Sequence, residues 1–393
     1  RDKIYLSDKK TLMPRDKKPN IIIIFFESFS SRFTSVYNKN FPGLTPNLEQ
    51  MAADPQTTVF KNFYNATTPT INGIIAQLCS FLPPTGYTEI ENNRGLQNLQ
   101  LLCLPNILKK NGYHNTYITA VPKEFENKAS IFDSMDTKNV YGQDELAKVV
   151  AGEPLSWGYS DHQLFEAMWK LVSEHNDQTE PFLMMLSTVD THAPYNLAKD
   201  MVRYGDGKND VLNSFHTADD AFGEFWRQFK ASEYYDNTIV VAVADHAAFP
   251  GADIKKTAGA DGDNLSFYDE NMFMVYVPQA ELPKDSNTYS SSIDLAPTLL
   301  HVLGINIGTS FEGRSIFDDR NSYPNLLGMH EYGLYINQEQ NGQRQIDYRI
   351  PSQLECDKEN VIISTSTPLT LCEYLQFYKW KRQMFEQGRF WER

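Results

Sequence analysis

Three unbroken apolar runs stand out along the chain, and each stops at residues with catalytic or metal-binding chemistry. Asn20-Ile21-Ile22-Ile23-Ile24-Phe25-Phe26 runs into Glu27, Pro181–Val189 into Asp190-Thr191-His192, and Thr238–Ala244 into Asp245-His246. Apolar runs of this length read as strands buried on both faces, the habit of a parallel sheet covered by helices. Helical patterns fall between them: Asn47–Ala53, Thr70 to about Ser80, Leu104–Asn111 closed by Gly112, Asp161–His175, Phe215–Ser232, and Asp294–Leu303 closed by Gly304. Further strands are predicted at Val59–Phe63, His114–Thr119 and Met272–Val277. The alternation predicts an α/β fold: a doubly wound, mostly parallel sheet flanked by helices. After about Gly313 the pattern weakens. A hairpin (Tyr332–Ile336 and Arg344–Arg349 around Asn341-Gly342) and a terminal amphipathic helix (Leu369–Glu386) predict a small C-terminal α+β subdomain. The expected organisation is a linker over 1–18, a main domain over 19–317 and the subdomain over 318–393. Ligands of open α/β sheets bind beyond the carboxyl ends of the strands, so Glu27, His192, Asp245 and His246 are expected to meet in one crevice.

Composition narrows the function classes. With 41% hydrophobic and 13% aromatic residues, the chain can build a large core. A net charge of −14 leaves no basic stripe for a phosphate backbone and argues against nucleic acid. An anionic substrate would need a bound cation or a local Lys or Arg to invert the field. No apolar run is long enough to cross a bilayer. The chain opens at Arg1 without Met, and the polar stretch Arg1–Lys18 is expected to follow a removed N-terminal membrane anchor. Cys79, Cys103, Cys356 and Cys372 suit either two local disulfides or four buried thiols.

Each candidate has an ordinary reading beside a functional one. Thr70 opens a helix after Thr67-Thr68-Pro69, where threonine commonly serves as an N-cap. A nucleophilic hydroxyl there needs a metal to lower its pKa. Asp245-His246 is either a turn-capping pair or one hard oxygen and one imidazole offered to a divalent cation. Glu27 is either a solvated loop residue or a carboxylate that requires a partner. His192 is either a loop histidine or a group able to hydrogen-bond a transferred or leaving oxygen.

Taken in order, several blocks resemble the alkaline-phosphatase superfamily, in the branch around lipoteichoic acid synthase and the periplasmic phosphoglycerol transferases. They are PNIIIIFFESFSSRF (Pro19–Phe33), TPNLEQMA (Thr45–Ala52), FKNFYNATTPTINGIIAQLCS (Phe60–Ser80), STVDTHAPY (Ser187–Tyr195), NTIVVAVADHA (Asn237–Ala247), SSIDLAPTLLHVLGI (Ser291–Ile305) and FEGRSIF (Phe311–Phe317). The resemblance implies that Glu27, Thr70, Asp245 and His246 hold one divalent cation (Mn, Mg or Zn), with Thr70 as nucleophile and His192 beside the phosphate. It further implies transfer of a head group, phosphoglycerol foremost, from a phospholipid donor through a phospho-threonine to an extracytoplasmic glycan or lipid acceptor. Phosphoethanolamine transfer, phosphoester hydrolysis and non-catalytic lipid binding are the rival expectations.

Departures sharpen these expectations. Thr68-Pro69-Thr70-Ile71-Asn72 lacks the C/S-x-P-x-R pattern of sulfatases, which disfavours sulfate hydrolysis. The Trp and Arg that lipoteichoic acid synthases set against glycerol phosphate are missing from Lys123–Phe132. Lys128 or Lys123 is expected to take the Arg's place, as a point charge without its fork, and Asn72 joins Lys128 as a substrate-binding candidate. The resemblance also turns the cysteines toward the disulfides Cys79–Cys103 and Cys356–Cys372, and the location toward the periplasmic face of an inner membrane.

Overall fold

The computed structural model describes residues 12, 18–83, 102–175, 180–195, 201–305, 311–318, 325–330, 333–340, 343–350, 362–363 and 369–386. Nine strands of the main region are named in chain order. They are β1 (Asn20–Phe26), β2 (Thr57–Phe60), β3 (Phe63–Tyr64), β4 (His114–Thr119), β5 (Asn139–Tyr141), β6 (Phe182–Ser187), β7 (Thr238–Ala244), β8 (Phe273–Tyr276) and β9 (Asp285–Ser286). Eight of these form one sheet in the order β5-β4-β6-β1-β7-β8-β2-β9. Strands β5, β4, β6, β1 and β7 run parallel, while β8 is antiparallel to both its neighbours. The mostly parallel, doubly wound sheet expected from the apolar runs is what forms.

Strand β1 lies at the centre, and alternate residues feed two separate cores. Ile21, Ile23 and Phe25 pack with the helices Thr70–Cys79, Leu104–Lys110 and Leu295–Val302. Ile22, Ile24 and Phe26 pack with the helices Asp161–Ser173 and Asp210–Lys230 on the opposite face. All six are fully buried, so the run needs no polar alternation. Phe25 pairs with Ser187 and Phe26 with Ala244. The three predicted strands therefore end level with one another, and their next residues emerge along one edge.

Some boundaries differ from expectation for local reasons. The strand expected at Val59–Phe63 starts at Thr57 and is broken at Asn62, whose φ of 60° lies in the left-handed region, before Phe63–Tyr64 resumes. The helix expected from Phe215 begins at Asp210, where the Asn209 side chain accepts from the Leu212 amide and caps it. The second expected run, Pro181–Val189, ends as a strand at Ser187.

The C-terminal hairpin pairs Gly333–Gln340 with Gln343–Arg349, and a strand that the pattern did not announce, Asn325–His330, joins it. Asn341-Gly342 lies outside the described residues. The terminal helix Leu371–Glu386 packs Leu371, Tyr374 and Leu375 against Ala76, Leu82, Ile293, Leu334 and Ile336. Lys381 is buried and bonded to Glu312, which also accepts from the Tyr374 hydroxyl at 2.8 Å. The Met329 amide donates to the Ala66 carbonyl at 2.7 Å, so this region abuts the loop that leads into Thr70.

Cys79 and Cys103 form the expected disulfide, tying the end of the Thr70 helix to the start of the next. Cys356 lies outside the described residues, as does nearly all of the expected linker. Among the described residues no helix is long and apolar enough to cross a membrane.

Candidate active site

Glu27, Thr70, Asp245 and His246 come together at the carboxyl edge of the sheet, although they are spread over more than two hundred positions. Each is held by a local device. The Glu27 amide donates to Thr188 Oγ1 at 2.9 Å, and its carbonyl accepts from the Thr191 hydroxyl. The loop after β6 thus clamps the end of β1. Asp245 Oδ1 accepts the Ser28 and His246 amides at 2.8 and 2.7 Å. That arrangement locks the carboxylate across the ends of β1 and β7.

Thr70 is the first residue of its helix, not the cap. Pro69 occupies the N-cap position, and the Thr70 hydroxyl makes no capping bond. Instead its Oγ1 donates to Glu27 Oε2 at 3.0 Å and lies 3.5 Å from His246 Nε2. The helix can approach this closely because residue 73 is glycine: a Cβ there would stand 2.1 Å from the Asp245 carbonyl oxygen. Gln77, one turn further, donates to the Ala244 and Asp245 carbonyls at 2.9 and 3.0 Å. A hydroxyl at the positive end of a helix is thereby fixed against a carboxylate.

The electrostatics are those of a site with surplus negative charge. Burial raises the Glu27 carboxyl, but His246 and His192, with hydroxyl donors from Ser28 and Thr70, outweigh it and hold the group below its ordinary value. Burial, and after it the charge of Glu27, push Asp245 up to about 8. For His246, burial works downward, yet the charges of Asp245 and Glu27 overcome it and the net direction is upward. Asp245 Oδ2 is buried without a hydrogen-bond partner. The Ala247 carbonyl can only accept, so its 2.8 Å contact puts a proton on His246 Nδ1, and in the neutral ring Nε2 is the lone-pair donor. Nε2 stands 3.6 Å from an oxygen of Glu27 and 3.6 Å from one of Asp245. One ligand atom from each of Glu27, Asp245 and His246 lies within 4.8 Å of the others. An orphaned oxygen, a second carboxylate and the Nε2 of a neutral imidazole fit a borderline divalent cation.

A cavity of about 300 Å³ opens above Thr70. His192 lines it, as expected, with its ring 4.0 Å from that of Trp157. Its Nδ1 lies 2.8 Å from the Ala193 carbonyl, which also accepts from the Trp157 indole at 3.0 Å. Lys128 lines the cavity too, buried and paired with Glu126. Lys123 pairs with Glu145 away from the cavity, and Asn72 is buried behind the wall, donating to the Thr68 carbonyl at 3.0 Å. Glu126, Trp157, Phe249, Phe267 and His330 also line the cavity, and none was a candidate from the sequence. His330 and Phe267 stack at 3.9 Å, one from the C-terminal strands and one from the main region. The glycine that follows Trp157 was the available signal for that residue: Gly158 has φ 97°, and a Cβ there would meet the Ala120 carbonyl at 2.0 Å.

A family model described as Sulfatase matches residues 19–305. The chain belongs to the sulfatase family. "Phosphoglycerol transferase I" of Xanthomonas campestris pv. campestris is 29% identical over 317 residues, covering 77% of this chain and 43% of that protein. The chain thus spans less than half the length of such curated relatives. Among solved structures, a protein in the alkaline phosphatase superfamily from Vibrio parahaemolyticus matches with a TM-score of 0.70 and 21% identity, covering 96% of this chain and 89% of that one. The lipoteichoic acid synthase LtaP from Listeria monocytogenes matches with a TM-score of 0.69 and 19% identity, covering 98% and 95%. These sulfatase-family similarities agree with the expected fold.

Proposed function

We propose that this sulfatase-family domain is a metal-dependent phosphotransferase that moves the phosphoglycerol head group of a phospholipid onto an extracytoplasmic glycan or lipid acceptor. The observation that carries the reading is the position of Thr70 Oγ1, 3.0 Å from Glu27 Oε2 and 3.5 Å from His246 Nε2, in the lining of the cavity. A divalent cation held by Glu27, Asp245, His246 and Thr70 would lower the hydroxyl's pKa and offset charge on the phosphoryl oxygens. Glu27 Oε2 orients the Thr70 hydroxyl for attack. Thr70 Oγ1 passes its proton to Glu27 Oε2 and forms a bond to phosphorus as the bond to diacylglycerol oxygen breaks, and His192 Nε2 delivers a proton to that oxygen. Thr70 then carries glycerol phosphate as a phosphodiester. An acceptor hydroxyl gives its proton to His192 and bonds to phosphorus as Thr70 leaves, its oxygen recovering the proton from Glu27. The name of the Xanthomonas relative and the likeness to a lipoteichoic acid synthase support this choice over sulfate hydrolysis. A periplasmic location and an N-terminal anchor are parts of the same proposal.

The test is mass spectrometry of the protein incubated with phosphatidylglycerol or phosphatidylethanolamine labelled in the head group. The expected result is the mass of glycerol phosphate on the peptide containing Thr70. Turnover of lipid with no adduct on that peptide, or an adduct at another residue, overturns the assignment.

A further inference from the structure

Asp161 is a fully buried acid that the chemistry proposed above does not use. It is the first residue of the helix Asp161–Ser173, yet its side chain does not turn back onto the helix. Gln163 Oε1 takes the Ser160 amide at that end, at 3.1 Å. The Asp161 carboxyl reaches across to the loop after β6 instead. Its Oδ1 accepts the Val189 amide at 2.7 Å and the Asp190 amide at 3.3 Å. Asp190 Oδ2 returns the bond by accepting the Asp161 amide at 3.1 Å. Asp190 is buried as well. Two acids placed so close in a dry site repel each other, so this clasp costs stability and is not explained by packing.

We propose that Asp161 is a positioning residue for His192, acting through the loop over 188–192. This rests on the phosphotransferase reading above and adds a residue to it. The Val189 carbonyl accepts the His192 amide at 2.9 Å, so the residue that Asp161 grips is the one that holds His192. Thr188 and Thr191 tie the same loop to Glu27. The segment just ahead of Asp161 grips the other flank: the Trp157 indole donates to the Ala193 carbonyl, and its ring meets that of His192. Residues 157 and 161 together therefore fix His192 in the cavity lining from both sides. The role needs an acceptor and not a charge. Both bonds converge on Oδ1, while Oδ2 is buried with no hydrogen-bond partner. Burial first, and then the charges of Asp190 and Glu27, push the carboxyl well above its ordinary value. That favours a neutral acid, which an amide imitates.

The experiment compares Asp161→Ala and Asp161→Asn with wild type, in amide hydrogen exchange and in turnover. Loss of the Oδ1 acceptor in Asp161→Ala should speed exchange of the Val189, Asp190 and His192 amides by at least about tenfold. Asp161→Asn keeps the acceptor and should hold these rates within about threefold of wild type. Turnover is read on phosphatidylglycerol and on the p-nitrophenyl ester of glycerol phosphate, whose phenolate leaves without needing a proton. Asp161→Ala should lower kcat on the lipid by about a hundredfold, and on the nitrophenyl ester by less than about threefold. Asp161→Asn should recover most of the lipid rate. A residue that only stabilised the fold would slow both substrates alike. The inference is overturned if the two substrates fall together, if Asn behaves as Ala does, or if the amides of the Ala variant exchange as in wild type. Should Asp161→Ala not fold, Asp161→Ser replaces it, since its space admits a water to the two amides while the fixed acceptor is still lost. If wild type turns over neither substrate, the phosphotransferase reading fails and the exchange rates alone decide. Faster exchange in Ala with normal exchange in Asn then supports the grip on the His192 loop, and unchanged exchange rejects it.

Discussion

The most demanding prediction concerns Asp245→Asn, which should stabilise the metal-free protein while removing its response to metal. Asp245 is buried beside Glu27, and its carboxyl is pushed from an ordinary 3.8 up to about 8. An acid whose folded value is raised holds its proton more tightly in the folded chain. Its stabilising contribution is complete below pH of about 4 and is lost as pH rises toward 8. His246 points the same way: its value is raised, so its contribution is present below about 6.5 and fades as pH climbs through the folded value. Glu27 works oppositely, being held low, and its contribution is lost only in acid. At about 1.4 kcal/mol for each pH unit, the Asp245 displacement bounds the effect at about 6 kcal/mol. Relaxation and water penetration reduce this to about 2–4 kcal/mol. Asparagine keeps an Oδ1 to accept from the Ser28 and His246 amides and replaces the orphaned Oδ2 with a donor facing Glu27.

Thermal melts in EDTA at pH 6 and pH 8 test this. Wild type should melt lower at pH 8 than at pH 6, and Asp245→Asn should flatten that difference, melting several degrees above wild type at pH 8. Added Mn²⁺ or Zn²⁺ should reverse the wild-type trend, because binding requires an ionised Asp245 and a neutral His246. A hundredfold excess over Kd adds about 3 kcal/mol. The variant should gain far less. If Asp245→Asn is no more stable than wild type at pH 8 without metal, the electrostatic account of this site is wrong.

Other expectations follow from single contacts. Thr70→Ala removes one hydrogen bond worth about 1 kcal/mol, so its melt should nearly match wild type while turnover of phospholipid falls by about a thousandfold or more; normal activity would reject Thr70 as nucleophile. Gly73→Ala places a methyl against the Asp245 carbonyl. It should displace the helix, lower stability by about 1–3 kcal/mol and depress turnover, all checked by denaturant unfolding and a lipid assay; an unchanged variant would mean the helix is not held so close. Replacing Cys79 and Cys103 together by Ser should lower stability by about 2–4 kcal/mol, read as a drop in denaturation midpoint under non-reducing conditions. Glu312→Gln strands the buried Lys381 ammonium, and should lower stability by about 3 kcal/mol or more, with Lys381→Met in the same chain recovering much of it.

The parts of this molecule that could be read from sequence are those in which one physical cause dominates. The run from Ile21 to Phe26 is buried on both faces, so its apolar continuity alone reports a central strand. Gly112 and Gly304 mark helix ends because their positive φ values, 86° and 61°, suit few other residues. The cavity rim has no such signature. Trp157 meets the His192 ring at a tilt from a loop more than thirty positions upstream, and His330 arrives from a strand whose pairing partner is the C-terminal hairpin. Their meeting depends on long-range packing that no local period encodes. Lys128 was a candidate, but its burial against Glu126 was not legible, because the left-handed turn that buries the two carries no glycine to announce it.

Strand register links these two halves. With Phe25 opposite Ser187 and Phe26 opposite Ala244, Glu27 and Asp245 follow their strands at the same level. A slip of one residue between β1 and β7 would exchange the two core faces of β1 and move the carboxylates about 3.3 Å apart along the sheet. Burial of six large side chains therefore enforces, as a by-product, the alignment of two acids that would repel each other if left to themselves. A net charge of −14 makes that juxtaposition more unfavourable, and the chain answers it locally with the Thr70 helix terminus and His246. The fold supplies the energy that holds this cluster of groups together, and the strain it leaves at Asp245 is what a divalent cation would relieve.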